Sequence, residues 1–141
     1  MLCERTVKEM KETLETWVKM FHALAEEKRL RILLLFVAFQ EGLCVCELVD
    51  ALRIPQYVVS RHLAVLKKAG MATTKKQGLW VYYGINKENP DVQRIQQLCS
   101  ALRYLTEFVE DWNRLERRLS LRKEGRCVVG FKAEDNQNLN A

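Results

Sequence analysis

The sequence contains no apolar run of the ~20 residues needed to cross a bilayer. The nearest approach, Leu30 to Phe39, is far shorter and carries Arg31, so no membrane partner is expected. No signal-type apolar core follows Met1-Leu2-Cys3-Glu4-Arg5, which leads straight into charged amphipathic sequence. A cytoplasmic location is therefore expected, where thiols stay reduced. Cysteine is sparse: five residues, an odd number at irregular spacing, do not make a disulfide framework. Core packing, redox sensing and metal binding remain as their uses. Neither charge sign dominates, since 23 Lys and Arg against 18 Asp and Glu give +5. That excess permits a nucleic-acid partner without demanding one. There are no internal repeats and no βαβ alternation.

At 141 residues and 48% apolar, the chain has the material for one domain with a real core. Apolar residues at Val7, Met10, Leu14, Trp17, Phe21 and Leu24 recur in alternating steps of 3 and 4, a heptad-type seam on a first helix. Lys28 to Phe39 predicts a second helix, apolar on most sides and so the buried centre. Gly42 suits a left-handed cap after it. Cys44 to Leu52 predicts a short third helix and Arg53-Ile54 a tight turn. Pro55, one of only two prolines, suits the first position of a fourth helix, where its missing N–H costs nothing. That helix runs to Ala69 with Val58, Val59, Leu63 and Leu66 inward, and Gly70 ends it. Two short helices about such a turn form a helix-turn-helix.

Met71 to Lys76, a Gln77-Gly78 turn and the aromatic, β-branched stretch Leu79 to Ile85 predict a β-hairpin wing. Pro90 then opens a last helix, Asp91 to about Leu121, with a second seam at Ile95, Leu98, Leu102, Leu105, Val109 and Trp112. The expected order is α-α-α-α-β-β-α: a mainly α, winged helix-turn-helix fold. The domain covers residues 7–121, between an N-terminal arm, 1–6, and a polar tail, 122–141, in which Cys127 to Phe131 is the apolar exception. One small core does not need two seams, so the first and last helices are expected to form a homodimer, which also matches a palindromic DNA site.

Cys44 and Cys46 immediately precede the helix-turn-helix. Paired thiolates are a chelate for a soft metal or metalloid. On a regular helix, residues two apart point roughly 200° from each other. The two can share an ion only if Cys44 lies at or before the first turn. The electropositive helix N-terminus there also favours thiolate. Ligation would then pull on the helix that supports the DNA-reading helix. The bland alternative is that both are small buried hydrophobes.

On the fourth helix Gln56, Tyr57, Ser60, Arg61 and Lys67 fall outside the apolar set. The N-terminal part of such a helix meets base edges; Gln56 suits adenine, and Arg61 suits guanine or a phosphate. Lys67 and Lys68 suit backbone contacts, which position rather than specify. Lys75, Lys76 and Gln77 at the wing tip suit the adjacent minor groove or phosphates. Trp80, Tyr82 and Tyr83 alternate on the hairpin, so at least one face of them packs inward. His62 fits packing or a phosphate better than a metal, and His22, between Phe21 and Ala23, is structural on this reading.

Several motifs, in order and correctly spaced, resemble the ArsR/SmtB family of metal-responsive bacterial repressors. They are Phe21-His22-Ala23-Leu24-Ala25 with Lys28-Arg29-Leu30-Arg31-Ile32-Leu33, Leu43-Cys44-Val45-Cys46-Glu47-Leu48, Val59-Ser60-Arg61-His62-Leu63, Leu66-Lys67-Lys68-Ala69-Gly70 and Trp80-Val81-Tyr82-Tyr83. The resemblance spans about residues 18 to 86 and implies a homodimeric repressor that leaves double-stranded operator DNA when its inducer binds. Three departures stand out. Glu26-Glu27-Lys28 replaces the family's Asp or Asn followed by Pro, which predicts a less well capped second helix. Val49 stands where arsenic-sensing members carry a third cysteine. No histidine follows Asp91, which argues against zinc sensing.

The resemblance thus implies an inducer of the As(III) or Sb(III) class, with Cd(II) or Pb(II) as alternatives. Because trivalent arsenic and antimony are three-coordinate, a third thiol is expected. Cys3 and Cys127 are the even candidates, with Cys99 assigned to packing beside the seam; an outside thiol could also complete a two-thiol site. A redox or persulfide sensor of the same fold is the second reading. A thiol enzyme is disfavoured by the missing βαβ pattern and by the lack of a basic residue flanking the thiols.

Overall fold

The computed structural model describes residues 4–130, with side chains from Leu14 onward. Cys3, the seam side chains Val7 and Met10, Phe131 and the rest of the tail lie outside the described residues. The elements are α1 (Glu4–Leu24), α2 (Glu27–Ala38), α3 (Val45–Leu52), α4 (Gln56–Lys68), β1 (Ala72–Gln77), β2 (Trp80–Ile85), α5 (Pro90–Ser100) and α6 (Thr106–Leu119). Among them no helix is long and apolar enough to cross a membrane.

Helix α2 is the centre, with Ile32 to Phe36 buried in succession. Leu48, Leu52, Val59, Leu63 and Leu66 of α3 and α4 close on it, as do Ile95 of α5 and Leu115 of α6. Each fully buried Leu or Phe contributes about 1.5–3 kcal/mol, so truncating Leu33 to Ala should cost about 2–5 kcal/mol. The start of α2 departs from expectation. Glu26 caps it, its carboxylate accepting the Arg29 N–H at 2.9 Å. A glutamate reaches the cap position here because the residue is extended, at φ −148°.

The helix-turn-helix follows its predicted plan. Arg53 takes the left-handed conformation, φ 55°, which lets α3 end and α4 begin at once. Pro55 is the cap of α4 rather than its first residue. At the other end Gly70, φ 76°, allows Met71 N–H to reach Leu66 O and Gly70 N–H to reach Lys67 O, both at 3.0 Å, a Schellman stop. The hairpin pairs Ala72 with Ile85 through Gln77 with Trp80, antiparallel, so Gly78 and Leu79 form the two-residue turn. Leu43 adds a further rung: its N–H and C=O both bond Tyr83 at 2.8 Å. The segment entering α3 is thereby stitched to the wing.

The long last helix expected from Asp91 to Leu121 is two helices, α5 and α6, which makes six helices in the described residues. No proline or glycine marks the break. After Cys99 the backbone tightens, with Ala101 N–H to Leu98 O and Leu102 N–H to Cys99 O, and Ser100 Oγ donates back to Gln97 O at 2.6 Å. The chain then turns so that α6 can lie along α3. There Asp111 accepts from Arg31 at 2.9 and 2.8 Å and from Arg114 at 2.6 Å. Arg31 and Arg114 also donate to the α3 carbonyls of Leu52 and Ala51, satisfying the end of that helix. Packing and buried ion pairs override a continuous helical pattern.

The two seams are likewise divided. On α1, Met20 and Ala23 are buried, with Trp17 and Leu24 partly so. Leu14, Val18 and Phe21 point outward, 64%, 59% and 54% exposed. On α5 and α6, Ile95 and Cys99 join the core, whereas Leu98, Leu105 and Val109 are exposed.

Candidate metal centre and nucleic-acid interface

Cys44 is the N-cap of α3, in extended conformation at φ −84°, ψ 162°. That position releases it from the helical spacing and brings its sulfur to 3.2 Å from Cys46 Sγ. Glu47, three residues on, accepts the Cys44 N–H at 3.0 Å and lies 3.1 Å from its sulfur. The third thiol comes from beyond α6. There the chain turns back at Lys123–Arg126, with Glu124 and Gly125 both left-handed, and places Cys127 Sγ 3.6 Å from Cys46 Sγ. All three sulfurs lie within 4.8 Å of one another and all three residues are buried. A metal–thiolate bond of roughly 2.3 Å puts the sulfurs of one ion roughly 3.3–3.8 Å apart at bond angles near 90–110°. The donor set therefore fits one soft, low-coordinate ion. Among the described residues no histidine joins this group.

The segment carrying Cys127 is anchored at several points. Its N–H donates to the Tyr82 hydroxyl at 2.9 Å. Arg118 donates to the carbonyls of Val129 and Gly130 and pairs with Asp50 at 2.8 Å. Arg122 forms a fork with Glu47, 2.7 Å to each oxygen, reaches Gly42 O at 2.8 Å and lies over the rings of Phe39 and Tyr82. The tail expected from Arg122 onward thus begins with residues that complete the site.

These neighbours differentiate the thiols. The hydrogen bond from Cys44, with help from Arg118 and Cys127 and against the effect of burial, pulls Cys46 down to about 6. Cys44 is pushed up because it donates to Cys46 and is buried; burial pushes Cys127 up to about 11. Of the three, Cys46 is the thiol most disposed to ionise. Burial of the Glu47 carboxylate works against its charge, but the bonds from Arg122 and Cys44 hold it below the usual carboxylate range. The expectation that no basic residue attends the thiols is corrected: Arg118 and Arg122, distant in sequence, stand beside them.

Cys99 is buried among apolar side chains, away from this group, and its thiol is pushed up to about 11 by burial alone. His62 is buried, its Nδ1 3.3 Å from Arg29 Nη1 and its Nε2 3.8 Å from Glu26; burial lowers its pKa. It ties α4 to the start of α2. His22 is exposed.

Gln56, Tyr57, Ser60, Arg61, Lys67 and Lys68 are all exposed along one face of α4, and Lys75, Lys76 and Gln77 are exposed on β1 beside the hairpin turn. Lys67 Nζ reaches Thr74 Oγ1 at 3.4 Å, which links helix and wing. Five cations on two adjoining elements form a surface suited to phosphates. Tyr82 is buried against the thiols with Trp80 beside it, whereas Val81 faces out.

Residues 26–74 match the model for the arsR family of bacterial regulatory proteins. The arsenic resistance transcriptional regulator ArsR1 of Pseudomonas putida is 38% identical over 92 residues, 65% of this chain and 67% of that protein. The chain belongs to the ArsR family. It spans 60% and 62% of the length of two further arsenic-resistance regulators it matches. Among solved structures, reduced HlyU from Vibrio cholerae is 30% identical at a TM-score of 0.59, covering 70% of this chain and 99% of that one. The homodimeric winged helix-turn-helix DNA-binding domain of Mb0332 from Mycobacterium bovis is 26% identical at a TM-score of 0.57, covering 74% and 92%. These neighbours are regulators, not enzymes.

Within this family fold, the site residues that sequence reasoning missed are Glu47, Asp50, Tyr82, Arg118 and Arg122. A signal for some of them existed. Glu47 stands at the third helical position after a capping residue, the capping-box spacing. Arg114, Arg118 and Arg122 recur every four residues, one face of a helix, opposite the acidic Glu47 and Asp50 of α3.

Proposed function

We propose that this chain is a cytoplasmic, homodimeric transcriptional repressor that leaves its operator when As(III) or Sb(III) binds Cys44, Cys46 and Cys127. The observation that carries the reading is the convergence of three buried thiols on the N-terminus of α3, the helix that supports α4. Arsenous acid would react with net loss of water: As(OH)3 + 3 RSH gives As(SR)3 + 3 H2O. The products fill three coordination positions with sulfur, the soft ligand such an ion takes. Cys127 takes the role left open between it and Cys3. Cd(II) and Pb(II) remain in the class of thiophilic ions but with three thiolates leave a net negative charge in a buried site, where As(SR)3 is neutral.

The geometry supports a route to release. Cys44 and Cys46 belong to the first turn of α3, Leu43 is bonded to the wing, and Cys127 is bonded to Tyr82 while Arg118 of α6 holds the carbonyls of Val129 and Gly130 just beyond it. The sulfurs already stand near ligand spacing, so ligation would act by locking α3, the Cys127 segment and the wing into this one arrangement, which fixes how α3 sits against both DNA-contacting elements. It shifts the equilibrium only as far as the ion prefers the DNA-free arrangement. A coupling of about 1–3 kcal/mol, or about 5–150-fold in DNA affinity, is usual. On the DNA, Gln56, Tyr57, Ser60 and Arg61 would enter the major groove, with Lys67, Lys68, Lys75, Lys76 and Gln77 on phosphates or the minor groove. The outward apolar residues of α1, α5 and α6, together with the homodimeric relative, support the dimer.

The test is fluorescence anisotropy on operator selected in vitro, titrated with arsenite, antimonite, Cd(II) and Pb(II). Arsenite and antimonite should release the DNA at the lowest concentrations. Release by none of the four would remove metal sensing. A second reading has its own support, since a thiolate at Cys46 with thiols at 3.2 and 3.6 Å also suits disulfide formation, 2 RSH + H2O2 giving RSSR + 2 H2O. Release by metal-free peroxide or persulfide, reversed by dithiothreitol, would favour it.

A further inference from the structure

We propose that Tyr82 and Arg122 are positioning residues that hold Cys127 as the third thiol, and that they set the site's preference for inorganic trivalent arsenic over arsenicals that close with two thiols. This rests on the three-thiol reading above.

Cys44 and Cys46 need no outside help to meet, because the cap of α3 places them 3.2 Å apart. Cys127 differs: it sits on irregular backbone and reaches the site from 81 positions away. A thiol on a flexible tail presents itself at a local concentration of order millimolar, and fixing its segment raises that value without any new contact to the ion. The structure supplies two anchors on either side of the approach. Arg122 starts the segment from a fixed point, held by both oxygens of Glu47, by Gly42 O and between the rings of Phe39 and Tyr82. The Tyr82 hydroxyl then accepts the N–H of Cys127 itself at 2.9 Å. Tyr82 bonds the backbone of Cys127 and Arg122 bonds Glu47 and Gly42, so each is assigned to position the thiol and not to ligate the ion.

Two probes separate the third thiol from the other two. Arsenite consumes three thiols and loses three waters, as above. Phenylarsine oxide consumes two: C6H5AsO + 2 RSH gives C6H5As(SR)2 + H2O. Weakening the hold on Cys127 should therefore penalise arsenite and spare phenylarsine oxide.

The experiment measures direct binding of each arsenical to the full chain, by the arsenic–thiolate ultraviolet absorption with competing dithiol. The proteins are wild type, Tyr82→Phe, Arg122→Gln, Cys127→Ser, the two double variants with Cys127→Ser, and Cys44→Ser and Cys46→Ser as controls on the site itself. Tyr82→Phe keeps the ring and removes one hydrogen bond, so arsenite should weaken about 2–10-fold and phenylarsine oxide by less than about twofold. In the Cys127→Ser background the same change should add nothing to the arsenite loss, because the two residues act as one unit. Arg122→Gln should also weaken arsenite more than phenylarsine oxide, though by a smaller ratio, because Glu47, which Arg122 holds, bonds Cys44 as well; should circular dichroism show it unfolded, Tyr82→Phe decides alone. Unchanged arsenite affinity, equal losses for both arsenicals, or an undiminished loss in the Cys127→Ser background would overturn the proposal. Persistence of both arsenicals on Cys44→Ser and Cys46→Ser would instead overturn the three-thiol site itself.

Discussion

Cys46 and Cys127 are separated by 81 positions in the chain, yet their sulfurs lie 3.6 Å apart. The contact joins the first turn of α3 to a segment that has passed through the wing, α5 and α6. It is held by charge as well as by packing: Glu47 and Asp50 on α3 face Arg122 and Arg118. Helix α3 is thus gripped near its start by the residues that attend the thiols, and at its end by Arg31 and Arg114 on its last carbonyls. Under the proposed function, a ligand bound at the thiols would lock the start of a helix already fixed at its end, and so set how α4 is held.

The pH dependence of binding should distinguish the ion classes. With Cys46 near 6 and the other two thiols above their ordinary value, the three thiols together should carry one negative charge between about pH 6.5 and 8.5. Arsenous acid then reacts as As(OH)3 + RS⁻ + 2 RSH, giving As(SR)3 + 2 H2O + OH⁻, and takes up one proton equivalent. Its affinity should fall about tenfold per pH unit as pH rises through this window. A divalent cation forms M(SR)3⁻ and releases two protons, so its affinity should rise with pH. Isothermal titration in buffers of different ionisation enthalpy reads the proton count, and proton release by arsenite would contradict the assigned protonation.

DNA binding should depend on the exposed face of α4 and on salt. Arg61→Ala is expected to weaken operator binding by about 1–3 kcal/mol if it reads a base. Log affinity should fall with log salt at a slope of about −0.9 per phosphate neutralised, and Lys75→Ala should reduce that slope by about one. Anisotropy at several salt concentrations checks both. Binding that ignores salt would place the DNA elsewhere.

The dimer should depend on residues that the monomer leaves outside its core. Leu98 and Leu105, 65% and 45% exposed, can accept Glu at little cost to a single chain. Leu102 is packed against the core and is the poorer probe. In a dimer closed by this face, Leu98→Glu with Leu105→Glu would bury charge without a partner, costing several kcal/mol. Light scattering should then report a folded monomer; an intact dimer would locate the interface on another surface.

Much of this was legible in the sequence because it is local. Helix periods, the Arg53 turn, Gly70 and the β-branched wing each follow from neighbouring residues, and so did the need for Cys44 to precede the helix. What could not be read depends on distance. The break after Ser100 has no proline or glycine and comes from the packing of Asp111 and Leu115. The choice of Cys127 depends on where α6 ends and on Arg122 finding Glu47. The seams read as single stripes because periodicity does not say which of Leu14, Trp17 and Met20 faces the chain's own core.

The most direct test of the three-thiol switch is arsenite-driven release of operator from wild type and from Cys44→Ser, Cys46→Ser, Cys127→Ser, Cys99→Ser and Cys3→Ser, by anisotropy at fixed pH and salt. All five variants should bind operator about as tightly as wild type in the absence of arsenite, since none of these residues is among the DNA contacts assigned above. Cys44→Ser, Cys46→Ser and Cys127→Ser should lose the response, while Cys99→Ser and Cys3→Ser keep it. Release at wild-type arsenite concentrations from the Cys44, Cys46 and Cys127 variants would contradict the switch and leave the cluster a structural one.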